Sequence, residues 1–204
     1  MSAVRYSSNS AQLNSYSMFN DSHLSSLKLK LASYGAIRQQ AWTKILSHLL
    51  ETELKTDESF DRKINAIVYV TNGLIKEYET QQRKKPSIVN FINTGNFIIT
   101  TKHNQTKYLK AIDTTKLIYL DFEALVSLFI TYNELKSVYD GVLANYEDGI
   151  AFRQLVLEEN VASARIKLFI DKHRTILPSL KKKDIANYIH VDYDYFIRIY
   201  GKLL

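Results

Sequence analysis

The sequence contains no cysteine. A chain without cysteine forms no disulfide and supplies no thiolate ligand to zinc, an iron–sulfur cluster or haem. Its five histidines are scattered without the spacing of a metal site, so we expect no metal and no cofactor. The lack of cysteine also fits a reducing compartment, and we expect a cytoplasmic protein.

Long apolar runs are missing as well. No stretch of 18 apolar residues occurs in the 204-residue chain, so we expect no membrane association. The first 22 residues are rich in Ser and Asn and lack the apolar segment of a signal peptide. This composition predicts a disordered tail over residues 1–22.

Catalytic motifs are lacking too. The chain has no Ser-His-Asp arrangement with a Gly-rich elbow and no Walker-type phosphate loop. A metal-dependent enzyme of the cupin type needs two or more histidines and a carboxylate from neighbouring strands, whereas His103 stands alone in the strand-rich region. We therefore expect that the protein is not an enzyme.

Residues 181–204 carry two short amphipathic helical patterns. The apolar residues of the first are Ile185, Ala186 and Ile189, which share one helical face. After a break at 190–192, the second has an apolar stripe at i, i+3, i+4 and i+7, made of Phe196, Ile199, Tyr200 and Leu203. Asp192 is placed to cap the second helix. The pattern predicts a helix-turn-helix.

The second helix has a polar face opposite this stripe. Asp194, Arg198, Gly201 and Lys202 fall on it at 100° per residue. Arginine can donate two hydrogen bonds to guanine, and a carboxylate can accept one from cytosine. Alternatively, Asp194 and Arg198 pair with each other across one helical turn on a solvated surface.

Positive charge is concentrated at the same end of the chain. Lys181, Lys182 and Lys183 open the first helix and suit contacts with DNA phosphates. From Val161 onward nine Lys/Arg stand against four Asp, which gives +5 of the net charge of +6. Such a basic end is typical of a nucleic-acid-binding module, and also of a solvated surface helix.

Seven residues of this stretch follow the pattern IA-x-x-[LI]-G-[VI]-[ST]-x-E-x-x-[ST]-R-[IL], with Asp in place of Glu. They are Ile185, Ala186, Ile189, Val191, Asp194, Arg198 and Ile199. On these residues the stretch resembles the DNA-binding end of the Crp/Fnr family of bacterial transcription regulators. The resemblance implies that Tyr193, Asp194 and Arg198 face base edges, while Lys202 and the three lysines at 181–183 contact phosphates.

Three residues depart from the family pattern. His190 stands where the turn usually has glycine, a position that often requires a positive φ. Ile197 stands in place of a small hydroxyl residue, and Tyr193 in place of a polar one. Exposed apolar groups suit a protein partner. They motivate an alternative function, a ligand-sensing or protein-interaction module that keeps the fold but does not read DNA.

The middle of the chain reads as short strands separated by turns. Three strand–turn–strand units are predicted, over 64–78, 87–100 and 108–120, with turns at Asn72-Gly73, Asn93-Thr94-Gly95 and Asp113-Thr114-Thr115. Regular short strands predict a β-barrel or jelly roll. Gly73 and Gly95 fall where the Crp/Fnr sensor domain, a cyclic-nucleotide-binding double-stranded β-helix, has its turn glycines.

The cyclic-phosphate cassette of that family is not recognisable. After Gly95-Asn96, the run 97–107 has no Glu, no Arg and no glycine to hold a cyclic phosphate. We expect no response to cyclic AMP. The remaining alternatives are an unknown apolar small-molecule effector inside the barrel, or no ligand.

Two helices are predicted after the strands. Asp121 can cap the first, and the second runs from Asn133 to about Glu159. The longer helix has an apolar stripe, Leu135, Tyr139, Val142, Tyr146, Ile150 and Phe152. This stripe forms either a dimer seam, as the resemblance implies, or a contact with the chain's own barrel.

Together these patterns predict an α+β fold with an antiparallel double-stranded β-helix barrel, a long dimerisation helix and a C-terminal helix-turn-helix. The predicted units are the tail at 1–22, a sensor barrel at 23–130, a central dimerisation helix at 131–160 and a DNA-binding domain at 161–204. The predicted function is that of a homodimeric regulator of Crp/Fnr type that binds specific sequences in double-stranded DNA.

Overall fold

The computed structural model describes residues 20–81 and 85–203. The helices are α1 (Asp21–Ala32), α2 (Gln39–Leu46), α3 (Phe122–Thr131), α4 (Glu134–Glu158), α5 (Ala162–His173), α6 (Lys182–Tyr188) and α7 (Tyr193–Leu203). The strands are β1 (Leu50–Leu54), β2 (Ser59–Phe60), β3 (Ile67–Asn72), β4 (Leu74–Glu79), β5 (Ser87–Asn93), β6 (Phe97–Ile99), β7 (Tyr108–Ala111) and β8 (Thr115–Leu120). The predicted α+β fold is confirmed.

The N-terminal helices cover one side of the strands. Most of the predicted tail, 1–19, lies outside the described residues, and α1 begins at Asp21, with the Asn20 side chain accepting a hydrogen bond from the Ser22 N–H. Leu27 and Leu31 of α1 are buried with Trp42 of α2 in the main hydrophobic core. Trp42 is thus a core residue, which suits its large apolar ring.

The eight strands form two antiparallel four-stranded sheets, ordered β1-β8-β3-β6 and β2-β7-β4-β5. This arrangement corrects the three predicted hairpins. In each of them the two successive strands belong to different sheets, so the turn carries the chain from one sheet to the other. Strands β1 and β2, which the sequence pattern did not reveal, pair with β8 and β7.

The three turns are corners that contact one another at one edge of the barrel. Gly73 has φ +100°, and its N–H donates to Thr94 Oγ1 at 3.0 Å. The next N–H, of Leu74, donates to Asp113 Oδ1 at 2.9 Å. Each corner thus donates hydrogen bonds to another corner or accepts them from one. These long-range bonds favour crossing between sheets over closing a local hairpin.

Helices α3 and α4 pack against α1, α2 and the strands. Asp121 caps α3 as predicted, since its side chain accepts from the Ala124 N–H. In α4 the buried Leu135, Val142 and Tyr146 belong to the same core as the strands. The apolar stripe therefore packs on the chain's own barrel, which was the alternative to a dimer seam.

The last three helices dock on the outer side of the second sheet. A second hydrophobic cluster joins Phe91 of β5 to Phe169 of α5, Tyr188 of α6 and Phe196 of α7. Phe169, Tyr188 and Phe196 are fully buried, so the C-terminal helices and the barrel share a continuous apolar contact. Among the described helices, none is long and apolar enough to span a membrane.

Candidate nucleic-acid interface

Helices α6 and α7 are joined by a tight turn at 189–192. The Val191 N–H donates to the Ala186 carbonyl at 3.0 Å, and His190 has φ +52°. The expectation of a positive φ at His190 is therefore confirmed. Asp192 caps α7, because its Oδ1 accepts from the N–H groups of Asp194 and Tyr195 at 3.1 and 3.0 Å.

The inner faces of the two helices are buried largely as predicted. Ile185, Ala186, Ile189, Phe196 and Tyr200 are all buried. The predicted stripe of α7 ends one turn early, because Leu203 is 40% exposed at the end of the helix. Burial of these residues holds α6 and α7 as one unit.

The outer face of α7 is open to solvent. Asp194, Arg198 and Lys202 are exposed, as are Tyr193 and Ile197, each at 37%. The Arg198 guanidinium lies over the Tyr195 ring at 5.8 Å, a cation–π contact along the helix. Among the ion pairs of the described residues, none joins Asp194 to Arg198, so the structure does not contain the local pairing considered as an alternative.

The three lysines at the start of α6 lie beside α7. Lys182 Nζ is 5.7 Å from the centre of the Tyr200 ring. Lys183 Nζ is 5.6 Å from that of Tyr193. We call Lys181–Lys183 together with the exposed residues Tyr193, Asp194, Ile197, Arg198 and Lys202 the basic face. The structure thus brings the predicted site residues to the same helix pair.

Lys181 has an acidic neighbour in the barrel. Its Nζ lies 3.9 Å from Asp57 Oδ2, and Lys110 Nζ lies 3.3 Å from Asp57 Oδ1. The pKa of Asp57 is lowered, first by the hydrogen bond to Lys110 and then by the charges of Lys110 and Lys181. Lys181 therefore bridges the basic face to the barrel, whereas Lys182 and Lys183 contact α7 aromatics.

Polar contacts anchor α6 to the barrel, and sequence reasoning missed them. Lys76 Nζ of β4 lies 2.8 Å from Asp184 Oδ2. Asn187 Oδ1 accepts from the Ile88 N–H at 2.6 Å, and Asn187 Nδ2 donates to the Pro86 carbonyl at 3.1 Å. The amide of Asn187 thus continues the hydrogen bonding of β5. No local pattern signals these contacts, because the partners are about a hundred residues apart.

Arg153 of α4 joins the same region. Its Nε donates to the Tyr188 carbonyl at 3.0 Å and its Nη2 to Ser87 Oγ at 2.9 Å. His190 Nε2 lies 2.9 Å from both Arg153 Nη2 and Ser87 Oγ. The sequence feature that could have indicated this cluster is the position of Arg153, one helical turn after Ile150 on the buried side of α4. The long helix thus contacts the barrel and the turn before α7 at once.

The barrel interior contains a buried ion pair. Arg62 Nη1 lies 2.7 Å from Glu77 Oε1, and their side chains are 3% and 0% exposed. The Tyr146 hydroxyl of α4 donates to Glu77 Oε1 at 2.7 Å and accepts from Arg62 Nη2 at 2.9 Å. Burial, followed by the charge of Glu77, raises the pKa of Tyr146. The three groups bind α4 to β4 and to the segment before β3.

This polar cluster extends into the loop between β6 and β7. Arg62 Nε donates to Thr100 Oγ1 at 3.2 Å, and Asn104 Nδ2 donates to the Ile99 carbonyl at 2.8 Å. Asn104 Oδ1 also accepts from the Thr101 N–H at 2.8 Å. The sequence could have indicated the position of Glu77, because side chains two apart in a strand point to the same side and Glu77 is two residues after Ile75. Both side chains are fully buried.

Two further expectations concern ligands. The described residues contain no group of three His, Asp or Glu placed to hold a metal ion. An apolar cavity among α1, α2, α3, α4 and the first sheet has a volume of about 40 Å³. Small-molecule sites usually have volumes of about 300–1,000 Å³, so this cavity is smaller than such a site.

Comparison with solved structures identifies the architecture. The chain is similar to a protein from Eubacterium rectale described as a transcriptional regulator of the Crp/Fnr family, with a TM-score of 0.64 and 10% identity over 81% of this chain and 83% of that one. This is the Crp/Fnr fold. FixK2 from Bradyrhizobium japonicum matches at TM-score 0.64 and 16% identity, over 76% of this chain and 84% of its own.

A third solved structure with the Crp/Fnr fold is the c-di-GMP-responsive global regulator CLP of Xanthomonas campestris. It matches at TM-score 0.62 and 13% identity, over 81% of this chain and 91% of its own. No protein-family model and no curated protein sequence matches the chain. The likeness is therefore one of three-dimensional architecture, and it spans most of the chain.

Proposed function

We propose that the protein is a transcription regulator of Crp/Fnr type that binds specific sequences in double-stranded DNA. In this proposal α6 and α7 form a helix-turn-helix, and α7 is the recognition helix that enters the major groove. The observation that carries the proposal is the basic face. It keeps Asp194, Arg198 and Lys202 exposed on α7 while the opposite sides of both helices are buried.

The residues of the basic face have different roles in this proposal. Arg198 donates to the O6 and N7 atoms of guanine, and Asp194 accepts from the N4 amino group of cytosine. Tyr193 also faces base edges, and Ile197 contacts a thymine methyl group. The lysines at 181–183 and 202 contact DNA phosphates. These contacts position the protein without specifying sequence.

We propose further that the regulator is a homodimer, since two symmetric half-sites give a small reading helix both affinity and specificity. The apolar stripe of α4 packs on the chain's own barrel. In this proposal the dimer seam is therefore formed by the outer face of α4. Ala144, Ala151 and Leu155 are exposed there, spaced seven and four residues apart, and Leu155 is 55% exposed. Small residues at this spacing allow close approach of a second copy.

Sedimentation velocity tests the dimer. Leu155→Glu should convert the wild-type dimer to a monomer, because it places charge in the seam. Leu29→Glu in α1 is the matched control, since Leu29 is 74% exposed and lies outside α4. A monomeric wild type at micromolar concentration, or a Leu155→Glu variant that stays dimeric, would contradict this seam.

We also propose that cyclic AMP does not regulate the protein. The run 100–107 supplies neither an arginine nor a glutamate for a cyclic nucleotide. The polar interior of the barrel is engaged by Arg62, Glu77 and Tyr146 with one another. Millimolar cyclic AMP should therefore change neither the melting temperature nor the affinity for DNA. A shift of either would overturn this part of the proposal.

A second candidate function rests on Tyr193 and Ile197. These side chains expose apolar surface in the middle of the basic face, which also suits a protein partner. Selection from a random duplex pool, followed by sequencing and by fluorescence anisotropy at two salt concentrations, separates the candidates. An enriched palindrome with strongly salt-dependent affinity supports the DNA reader. Binding without an enriched site indicates a phosphate binder, and no binding at low salt favours the interaction module.

A further inference from the structure

A polar cavity lies between the barrel, α4 and α5, away from the basic face. Its volume is about 320 Å³, at the lower end of the range for small-molecule sites. The walls come from β5 and the following corner, from the middle of α4 and from the end of α5. Its polar lining includes Asn90, Asn93, Asn145, Asp148 and Lys172.

Asn90 is a buried polar residue in the wall of this cavity. It is 5% exposed, and its amide forms none of the side-chain hydrogen bonds of the described residues. His173 Nε2, from another wall of the same cavity, is buried without a hydrogen-bond partner. A Cβ atom at Gly149 would lie 3.0 Å from Asn90 Oδ1, so the glycine leaves room for the amide against α4. A buried amide without a partner costs free energy unless a ligand or water satisfies it. Asn90 therefore marks the inner end of a polar site.

Two opposite charges lie on different walls of the cavity. Asp148 belongs to α4 and Lys172 to α5, and both are exposed. Within the described part of the chain neither forms an ion pair. Burial, and then the charge of Lys172, lowers the pKa of His173 to about 4, so this cavity residue is neutral at pH 7. The cavity thus offers one cation and one anion, plus neutral amides.

The aromatic side chains of the cavity do not offer a stacking platform. Phe97 is 2% exposed, and Lys172 Nζ lies over the Phe152 ring at 5.3 Å. A flat nitrogen base would require an open ring face. The ligand class that matches one cation, one anion and several amides is instead a small zwitterion with a polar side chain.

We propose that this cavity binds a free α-amino acid with a short polar side chain, such as glutamine. Its ammonium group pairs with Asp148 and its carboxylate with Lys172, while its side chain hydrogen-bonds the Asn90 amide. The same molecule contacts the barrel, the long helix and the first C-terminal helix. Binding there changes how firmly α5 is held to the barrel. The consequence for DNA affinity rests on the proposed function, whereas ligand binding itself does not.

Isothermal titration calorimetry of the full chain with a panel of L-amino acids tests the proposal without DNA. Glutamine should bind, whereas N-acetylglutamine and glutamine α-amide, which each lack one charge, should bind about 10- to 100-fold more weakly. Lys172→Gln and Asp148→Asn should each reduce glutamine affinity by a similar factor. The matched controls Lys167→Gln and Glu147→Gln alter exposed residues of α5 and α4 that do not line the cavity, and should change affinity less than about twofold.

The Asn90→Leu variant separates an effect on ligand binding from an effect on folding. It removes a buried amide that has no protein partner, so the variant should melt at or above the wild-type temperature and yet lose the preference for polar over apolar amino acids. The absence of amino-acid binding up to about 10 mM, equal binding by the Lys172 and Lys167 variants, or occupation by a nucleoside or sugar instead would overturn the proposal. Loss of DNA binding with intact glutamine binding would count against the proposed function alone.

Discussion

Lys76 Nζ lies 2.8 Å from Asp184 Oδ2, and this ion pair joins strand β4 to helix α6 across 108 positions of sequence. The side chains are only 7% and 16% exposed. A pair at this depth is screened little by water. The position of α6, and with it the orientation of the basic face relative to the barrel, therefore depends on a contact between two distant parts of the chain.

Breaking this pair should destabilise the protein. Lys76→Met leaves the Asp184 carboxylate largely buried without its partner, at an expected cost of about 3 kcal/mol in the free energy of unfolding. The double variant Lys76→Met/Asp184→Leu should recover most of the loss, because two apolar groups replace the pair. Urea denaturation measures both. Lys116→Met, which removes a 3.5 Å pair with Glu53 on the exposed surface, is the control and should cost less than about 1 kcal/mol.

The same pair predicts a pH dependence on the alkaline side. Burial disfavours the charged form of Lys76, but the hydrogen bonds and charges of Asp184 and Tyr78 together outweigh burial, so the pKa lies above the ordinary 10.5. The contribution of the pair is fully present below that value and is lost as pH rises through the higher folded-state pKa. The melting temperature of the wild type should fall more steeply above pH 10.5 than that of the double variant. Parallel curves would contradict the assignment.

The buried cluster in the barrel gives a second stability prediction. Glu77→Gln leaves the Arg62 guanidinium buried without a negative partner, and should lower the free energy of unfolding by about 3 kcal/mol. Tyr146→Phe removes only the hydroxyl and should cost about 1–2 kcal/mol. Chemical denaturation of the two variants shows which of them loses more free energy of unfolding. Equal losses would mean that the charge of Arg62 is compensated by groups other than Glu77.

Local sequence patterns predicted the helices well. The apolar faces of α6 and α7, the Asp121 and Asp192 caps and the positive φ of His190 all follow from spacing within one or two helical turns. Strand pairing did not follow in the same way. Asn72-Gly73 is a favourable hairpin sequence, yet Gly73 forms a corner because its hydrogen-bond partner Thr94 and its close neighbour Thr115 come from other turns of the barrel.

Side-chain clusters were the hardest features to predict. Arg62, Glu77 and Tyr146 are separated by 15 to 84 positions, and nothing near any of them in sequence indicates a partner. The basic face was predicted because all its residues lie within 181–202, on two consecutive helices. The cavity at Asn90 was not predicted, because its walls come from β5, α4 and α5, which are distant from one another in sequence.

The corner at Gly73 gives a prediction with an internal control. A Cβ atom there would lie 2.5 Å from Thr115 Oγ1 and 2.7 Å from Thr115 Cα, in addition to the strain of φ +100°. Gly73→Ala should therefore lower the free energy of unfolding by about 2 kcal/mol or more. A Cβ atom at Gly201 in α7 meets nothing within 4 Å, so Gly201→Ala should raise it by about 0.5–1 kcal/mol. Similar melting temperatures for the two variants would be inconsistent with the corner.

The most direct test of base reading by α7 compares Arg198→Ala with the wild type on two duplexes, the enriched site and a scrambled sequence, by fluorescence anisotropy. We expect a loss of about 1–3 kcal/mol on the enriched site and little on the scrambled one. Lys182→Ala should weaken both duplexes alike and reduce the salt slope by about one. Lys167→Ala, an exposed lysine of α5 outside the basic face, serves as the control. Equal losses on both duplexes from Arg198→Ala would contradict the account.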